Sequence, residues 1–277
     1  MRNLTEANLT DAVVAKLATC PNPRLKQILT AVIRHAHALV REVELTEAEW
    51  MAAIQFLTAS GQICDDKRQE FILLSDVLGV SMLVDGINHR KPSGATESTV
   101  LGPFYIEGAP ELPFGANIAG KTPGEPTIVS GRVLTTDRKP IAGAVLDIWQ
   151  TASNGLYSSQ DPNQDLYNLR GRFRSDGDGR YEFRTIKPVS YPVPTDGPVG
   201  DILRAMGRHP YRPAHIHFIV SAPGFEGVAT HLFAEGDPYL ESDAVFGVKD
   251  SLVVAFTPTA PGGALGVHYD FGLKRAD

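Results

Sequence analysis

His215-Ile216-His217 leads into the apolar run Phe218-Ile219-Val220. On an extended strand residues i and i+2 face the same side, so both imidazoles can reach one metal ion. His35-Ala36-His37 has the same spelling inside a helical run, where side chains two apart diverge by about 200° and one shared ion is implausible. The strand pair also reads as ordinary strand residues, and as a metal site it needs co-ligands from elsewhere. Glu226 is the first acid after it, too distant for a cupin-type carboxylate, and the His-x-His-x-Asp-His pattern of zinc hydrolases is missing. Two tyrosines sit at the ends of apolar runs: Tyr157 after Asn154-Gly155-Leu156, and Tyr191 in the proline-lined stretch Pro188-Val189-Ser190-Tyr191-Pro192-Val193-Pro194. Each is open to two readings, a phenolate donor or an amphipathic residue at the core's edge.

The elements that must carry these residues fall into two kinds. Residues 4–89 read as helical. Thr46 and Glu49 have capping-box spacing ahead of Trp50, Ala53, Ile54 and Leu57, with Gly61 as a stop. A second run from Asp65 carries Phe71, Ile72, Leu74, Leu78, Met82 and Leu83, and ends near a loop at 90–96. Beyond about residue 100, Gly and Pro punctuate short apolar runs, and strands are expected at 127–134, 144–150, 180–186, 216–220, 229–234 and 252–256. The expected fold is mixed α and β, an N-terminal helical domain (1–96) and an antiparallel β-sandwich (97–277).

Composition narrows the function. The 277 residues are 43% hydrophobic and 21% charged, ordinary for a globular chain with a full core. A formal charge of −6 without long like-charge blocks argues against a nucleic-acid groove or a polybasic membrane patch. The expected partner is a small molecule or a second copy. Cys20 and Cys64 cannot build a disulfide framework, no secretory pattern opens the chain, and no apolar run approaches the roughly 18–20 residues of a membrane span. A cytoplasmic location follows as the expectation, and the Asn-x-Thr tripeptides at Asn3 and Asn8 are then coincidental.

Four motifs together resemble the intradiol ring-cleavage dioxygenases. They are Leu101-Gly102-Pro103-Phe104-Tyr105; Asp147-Ile148, six residues, then Gly155-Leu156-Tyr157; Pro188 to Tyr191; and Arg212-Pro213-Ala214-His215-Ile216-His217-Phe218. Their helical N-terminal region is similar to the catechol and hydroxyquinol branch. The resemblance implies Fe(III) held by Tyr157, Tyr191, His215 and His217, and cleavage of an aromatic diol by O2 between its hydroxyl-bearing carbons. Hard phenolates favour ferric iron, and a trivalent cation keeps them ionised. It also implies that Tyr191 leaves the metal and helps take up a substrate proton, and that Arg212 stabilises negative charge on the substrate. By the same resemblance the pocket is drawn from Leu73, Asp76, Leu101, Gly102, Pro103, Phe104, Val193, Pro194, Arg212, His231 and Val245.

Within the family, the stretches Leu73 to Ser81 and Leu240 to Lys249 look like the hydroxyquinol branch, with Asp76 as partner for a third hydroxyl. Catechol is the alternative substrate. His231 stands where many catechol enzymes carry Gln, and a hydrogen-bonding role beside the metal is expected rather than a fifth ligand. The resemblance implies a homodimer through the helical domain, with bound phospholipid in an apolar channel. Two rivals remain, a non-catalytic transthyretin-like binding module and a zinc hydrolase using His215 and His217. Ser175-Asp176-Gly177-Asp178-Gly179 resembles part of a calcium loop, but lacks its later Glu and reads as a hairpin turn between Phe173 and Tyr181.

Overall fold

Capping chemistry starts a helix after Thr46, where the sequence expects it. The computed structural model describes residues 2–66, 68–90 and 92–276. It opens with α1 (Leu9–Ala15), α2 (Pro23–Glu42), α3 (Glu47–Gln62), α4 (Glu70–Val77) and α5 (Val80–Asn88). Asn22 caps α2 by accepting the Leu25 N–H at 3.0 Å, with Pro23 in the first turn. At α3 the capping box forms in both directions. Thr46 N–H donates to Glu49 Oε2 at 2.9 Å, and Glu49 N–H donates to Thr46 Oγ1 at 3.3 Å. The run after Asp65 divides in two because Gly79 takes φ +74, a left-handed conformation that separates α4 from α5. The chain forms two compact units, residues 1–59 and 60–277, so α4 and α5 go with the sheets. Among the described residues no helix is long and apolar enough to cross a membrane.

The strands are β1 (Pro126–Thr135), β2 (Val145–Trp149), β3 (Arg170–Arg174), β4 (Arg180–Ile186), β5 (Tyr191–Pro192), β6 (Tyr211–Arg212), β7 (His215–Ser221), β8 (Val228–Ala234), β9 (Val253–Val254), β10 (Thr257–Pro258), β11 (Leu265–His268) and β12 (Phe271–Leu273). One sheet runs β10-β11-β1-β12 with β4 also on β1; the other runs β3-β2-β7-β8-β9. Val129, Val133, Phe183, Val267 and Phe271 of the first meet Leu146, Ile148, Phe173, Ile216, Phe218, Val220 and Leu232 of the second in one buried core. The sandwich is as expected, but its sheets are mixed rather than purely antiparallel. β11 and β12 return by long connections to lie parallel to β1, and β9 lies parallel to β8.

Three local expectations change. The segment 252–256 supplies only the two-residue β9, preceded by a 3-10 turn at Asp250–Leu252. A helix, α6 (Pro198–Ala205), interrupts the β region, started by Pro198 and buried through Val199 and Leu203. Asp176 does close a tight turn, with its N–H donating to Arg180 O at 2.9 Å. The flanking β3 and β4 belong to different sheets, however, so the turn is a crossover between layers and not a hairpin.

Candidate metal centre

Alternation along β7 decides which face the histidines take. Ile216, Phe218 and Val220 enter the core between the sheets, so His215 and His217 point to the opposite face. Neighbouring strands add a row there. Trp149 of β2 lies opposite His217, and His231 of β8 lies opposite it on the other side. Trp149 stacks on His217 with centroids 4.5 Å apart.

The tyrosines arrive from two other segments. After β2 the chain turns at Gly155 (φ +77), and Tyr157 N–H donates to Gln160 Oε1 at 3.0 Å. A side chain at position 155 would be strained, and its Cβ would stand 3.3 Å from Tyr191 Cβ. Tyr191 pairs with Arg212 across the two-residue ladder of β5 and β6, so one short ribbon sets both. The result is a cluster: Tyr157 Oη lies 2.8 Å from His217 Nε2 and 3.1 Å from Tyr191 Oη, and the two histidine Nε2 atoms are 3.1 Å apart. All four side chains are buried.

Electrostatics suit metal donation. His215 Nδ1 donates to Pro213 O at 2.7 Å, which leaves the Nε2 lone pair facing the cluster. Burial, then the Arg212 charge, pushes the His215 pKa down to about 3, and burial holds His217 well below its ordinary value, so both imidazoles are neutral. Burial, reinforced by Tyr191, raises the Tyr157 phenol well above its usual pKa. A cation at this point would supply the charge needed to ionise it. Two phenol oxygens and two neutral imidazoles are a donor set that fits iron.

His231 is fully buried beside this group, with a donor nitrogen within 4.8 Å of those of His215 and His217. Its Nδ1 bonds Thr99 Oγ1, and its Nε2 has no hydrogen-bond partner among the described residues. Leu73, Pro103, Phe104, Val193 and Pro194 line one cavity of about 1030 Å³. Phe104 stacks on Tyr157 with centroids 4.6 Å apart. Gly102, at φ +77, passes so near His217 that a Cβ would stand 3.3 Å from its Cε1. Asp76 is buried on α4 one turn beyond Leu73, and Val245 is buried in the loop after Asp243. Leu101 is exposed, and neither it nor Asp76, Gly102, Arg212, His231 or Val245 lines that cavity. His35 and His37 both lie within α2 as expected, with His37 Nδ1 bonded to Thr10 Oγ1 at 3.0 Å.

Two buried residues at the site were not anticipated. Asp243 pairs with Arg212 at 3.1 Å, and Arg170 places its guanidinium 5.9 Å from the Tyr157 ring centre. Asp243 lies in a stretch singled out for resemblance alone, and its pairing 31 residues away has no local signal. Arg170 sits in the charged run Arg170-Gly171-Arg172-Phe173-Arg174, which hides a strand whose outer face is covered.

A sandwich with two phenols and two imidazoles at one buried point has the donor set of a non-haem iron protein, and comparison with known proteins gives the family. A model of the dioxygenase domain matches residues 100–275, and one of the catechol dioxygenase N terminus matches residues 22–96. The chain belongs to the intradiol ring-cleavage dioxygenases, a family that works with non-haem iron. It is 58% identical to hydroxyquinol 1,2-dioxygenase of a Rhizobium species, over 91% of this chain and 85% of that one. Identity to 6-chlorohydroxyquinol 1,2-dioxygenase of Cupriavidus pinatubonensis is 55%, covering 91% and 92%. Among solved structures, hydroxyquinol 1,2-dioxygenase from Pseudomonas putida superposes with a TM-score of 0.93 at 54% identity, over 98% of this chain and 99% of that one.

Proposed function

We propose that this protein cleaves hydroxyquinol, 1,2,4-trihydroxybenzene, between carbons 1 and 2 with O2, giving 3-hydroxy-cis,cis-muconate or its tautomer maleylacetate. The observation that carries this is the buried cluster of Tyr157, Tyr191, His215 and His217, whose donor atoms stand 2.8 to 3.1 Å apart along the chain of contacts. These four residues are the ligands of a ferric ion. Bound there, the ion supplies Lewis acidity and a template for chelating adjacent hydroxyls.

The remaining work belongs to the chain. His215 keeps its Nε2 lone pair inward because Pro213 O holds its Nδ1 proton. Tyr191 takes a substrate proton at Oη. Arg212 directs Nη1 into the centre, 3.3 Å from His215 Nε2, where it stabilises negative charge on the ring. Leu73, Pro103, Phe104, Val193 and Pro194 offer the ring apolar contacts along one part of the cavity wall. Asp76, buried three residues beyond Leu73, receives the third hydroxyl. The relatives named for hydroxyquinol or its chloro derivative support this substrate over catechol.

Residues 1–96 carry the dimer contact and 97–277 the iron ligands, with α4 lending Leu73 and Asp76 to the catalytic side. Leu25, Ile28, Val32 and Leu39 form an exposed stripe at helical spacing on α2, and this apolar surface supports a homodimer with phospholipid held by the helices. The free cysteines Cys20 and Cys64 are consistent with a cytoplasmic location.

Oxygen uptake with hydroxyquinol and with catechol tests the substrate. Faster turnover of hydroxyquinol by about 5- to 150-fold is expected, since a buried polar group left unpaired by catechol costs roughly 1–3 kcal/mol. Faster turnover of catechol overturns the assignment. A purified protein without a red-brown phenolate-to-iron absorption overturns the ligand set.

A further inference from the structure

We propose that Asp243 is the positioning residue that aims Arg212 at the reacting centre. The inference rests on the reading of Arg212 given above. A guanidinium offers five N–H donors in a planar fork, so whichever edge is occupied decides which edge is free. Asp243 occupies one edge, accepting from Nε at 3.1 Å through Oδ1 and from Nη2 at 3.4 Å through Oδ2. The terminal nitrogen left over, Nη1, is the one that stands 3.3 Å from His215 Nε2. The β5–β6 ladder already fixes the arginine backbone opposite Tyr191, and the carboxylate fixes the other end of the side chain.

Asp243 is held as tightly as it holds. Oδ1 also accepts the Val245 N–H at 3.3 Å, and Oδ2 accepts the Gly247 N–H at 2.9 Å. Phe246, at φ +59, makes the turn between those two amides. Each carboxylate oxygen therefore receives one guanidinium and one backbone donor, in a pair whose side chains are 4% and 2% exposed. Burial works against the Arg212 charge, and Asp243 is the foremost group offsetting it. An asparagine cannot replace the aspartate, because either orientation of its amide turns an NH2 towards two donors. Gly247 completes the cradle: a Cβ there would lie 3.1 Å from both Arg212 Nη2 and Asp243 Oδ2, wedged against the pair.

The test is a double-mutant cycle on iron-loaded protein, with kcat and KM for hydroxyquinol, iron content and the visible absorption band as readouts. Asp243→Asn and the charge-neutral Gly247→Ala both misdirect Arg212. Asp243→Asn lowers kcat by roughly 10- to 100-fold, on the scale of losing one charge-stabilising donor. Gly247→Ala gives a smaller loss of the same kind. Iron content and the resting band stay at parent values in both, which a general structural defect would not allow. In an Arg212→Gln background neither substitution lowers kcat further, because its effect runs through the arginine. Equal fold-losses in both backgrounds, or parent kcat in a folded Asp243→Asn, overturn the proposal. If Asp243→Asn does not fold, Gly247→Ala decides by the same criteria. Parent kcat in Arg212→Gln overturns the role of Arg212 and this inference together; an impaired Arg212→Gln with uncoupled Asp243→Asn overturns the inference alone.

Discussion

Burial costs the Asp76 carboxylate more than its hydrogen bond to Ser81 and the Arg212 charge return, and its pKa is raised above that of an ordinary aspartate. A carboxyl with a folded pKa above its unfolded one contributes stability fully present below the unfolded pKa and lost as pH rises through the folded pKa. Asp76→Asn removes that loss, so the variant should be more stable than the parent at neutral pH, by about 0.5–2 kcal/mol, as for other relieved functional sites. The gain should shrink as pH falls into the carboxylate range. The same change should reduce the preference for hydroxyquinol over catechol, since an amide is a weaker acceptor for the third hydroxyl. Melting curves at pH 7 and pH 4.5 with the two substrates' rates check both halves, and a variant that melts lower at pH 7 contradicts the first. The shared face of His215 and His217 was legible in the sequence, while the role proposed for Asp76 was not. The pair follows from strand alternation, whereas Asp76 rests on resemblance, because no local pattern tells a buried carboxylate from one paired along its own helix.

Between elements, Glu70 does what no sequence pattern announces. It is buried on α4, and its Oε1 accepts the Val199 N–H at 3.0 Å in the first turn of α6, while Oε2 accepts from Arg68 at 3.0 Å. Arg68 then grips Asp196 with two bonds of 2.8 and 2.9 Å. This clasp joins α4 to the segment running on from Tyr191, and Glu70 and Asp196 both line the cavity. A side chain at position 197 would displace the clasp, since its Cβ would stand 2.5 Å from Glu70 Oε1. Glu70→Gln puts an NH2 against a donor, so it should lower unfolding free energy by about 1–3 kcal/mol. Urea titration should show a lower midpoint at unchanged slope, with KM raised because the cavity wall after Tyr191 loosens. An unchanged midpoint would show that the clasp is not structural. The sequence hid α6 for the same reason it hid the clasp. Its eight residues open on Pro and Gly, and its capping carboxylate is 129 residues away.

On the scale of the molecule, the centre ties distant parts of the chain together. Tyr157 follows β2, Tyr191 begins β5, and His215 and His217 begin β7, so an ion held by all four would close loops of up to 60 residues between Tyr157 and His217. The sandwich was readable because its strands alternate, while the parallel pairing of β11 and β12 with β1 was not, since short returning strands carry no mark of direction. A ligand that binds only the folded chain adds stability by mass action, about 2.7 kcal/mol at a hundredfold excess over its Kd. For a unit of this size that corresponds to roughly 5–10 °C in Tm. Removing iron by reduction and chelation should bleach the protein and lower Tm by that amount. Ferric iron should restore colour, Tm and turnover together. Zinc, which accepts the same nitrogen and oxygen donors but has no redox chemistry or visible charge-transfer band, should restore much of Tm and neither of the others. If Tm does not move on removing iron, the ion is not bridging these segments and the ligand set is wrong. If zinc restores turnover, the chemistry is not that of a ferric centre.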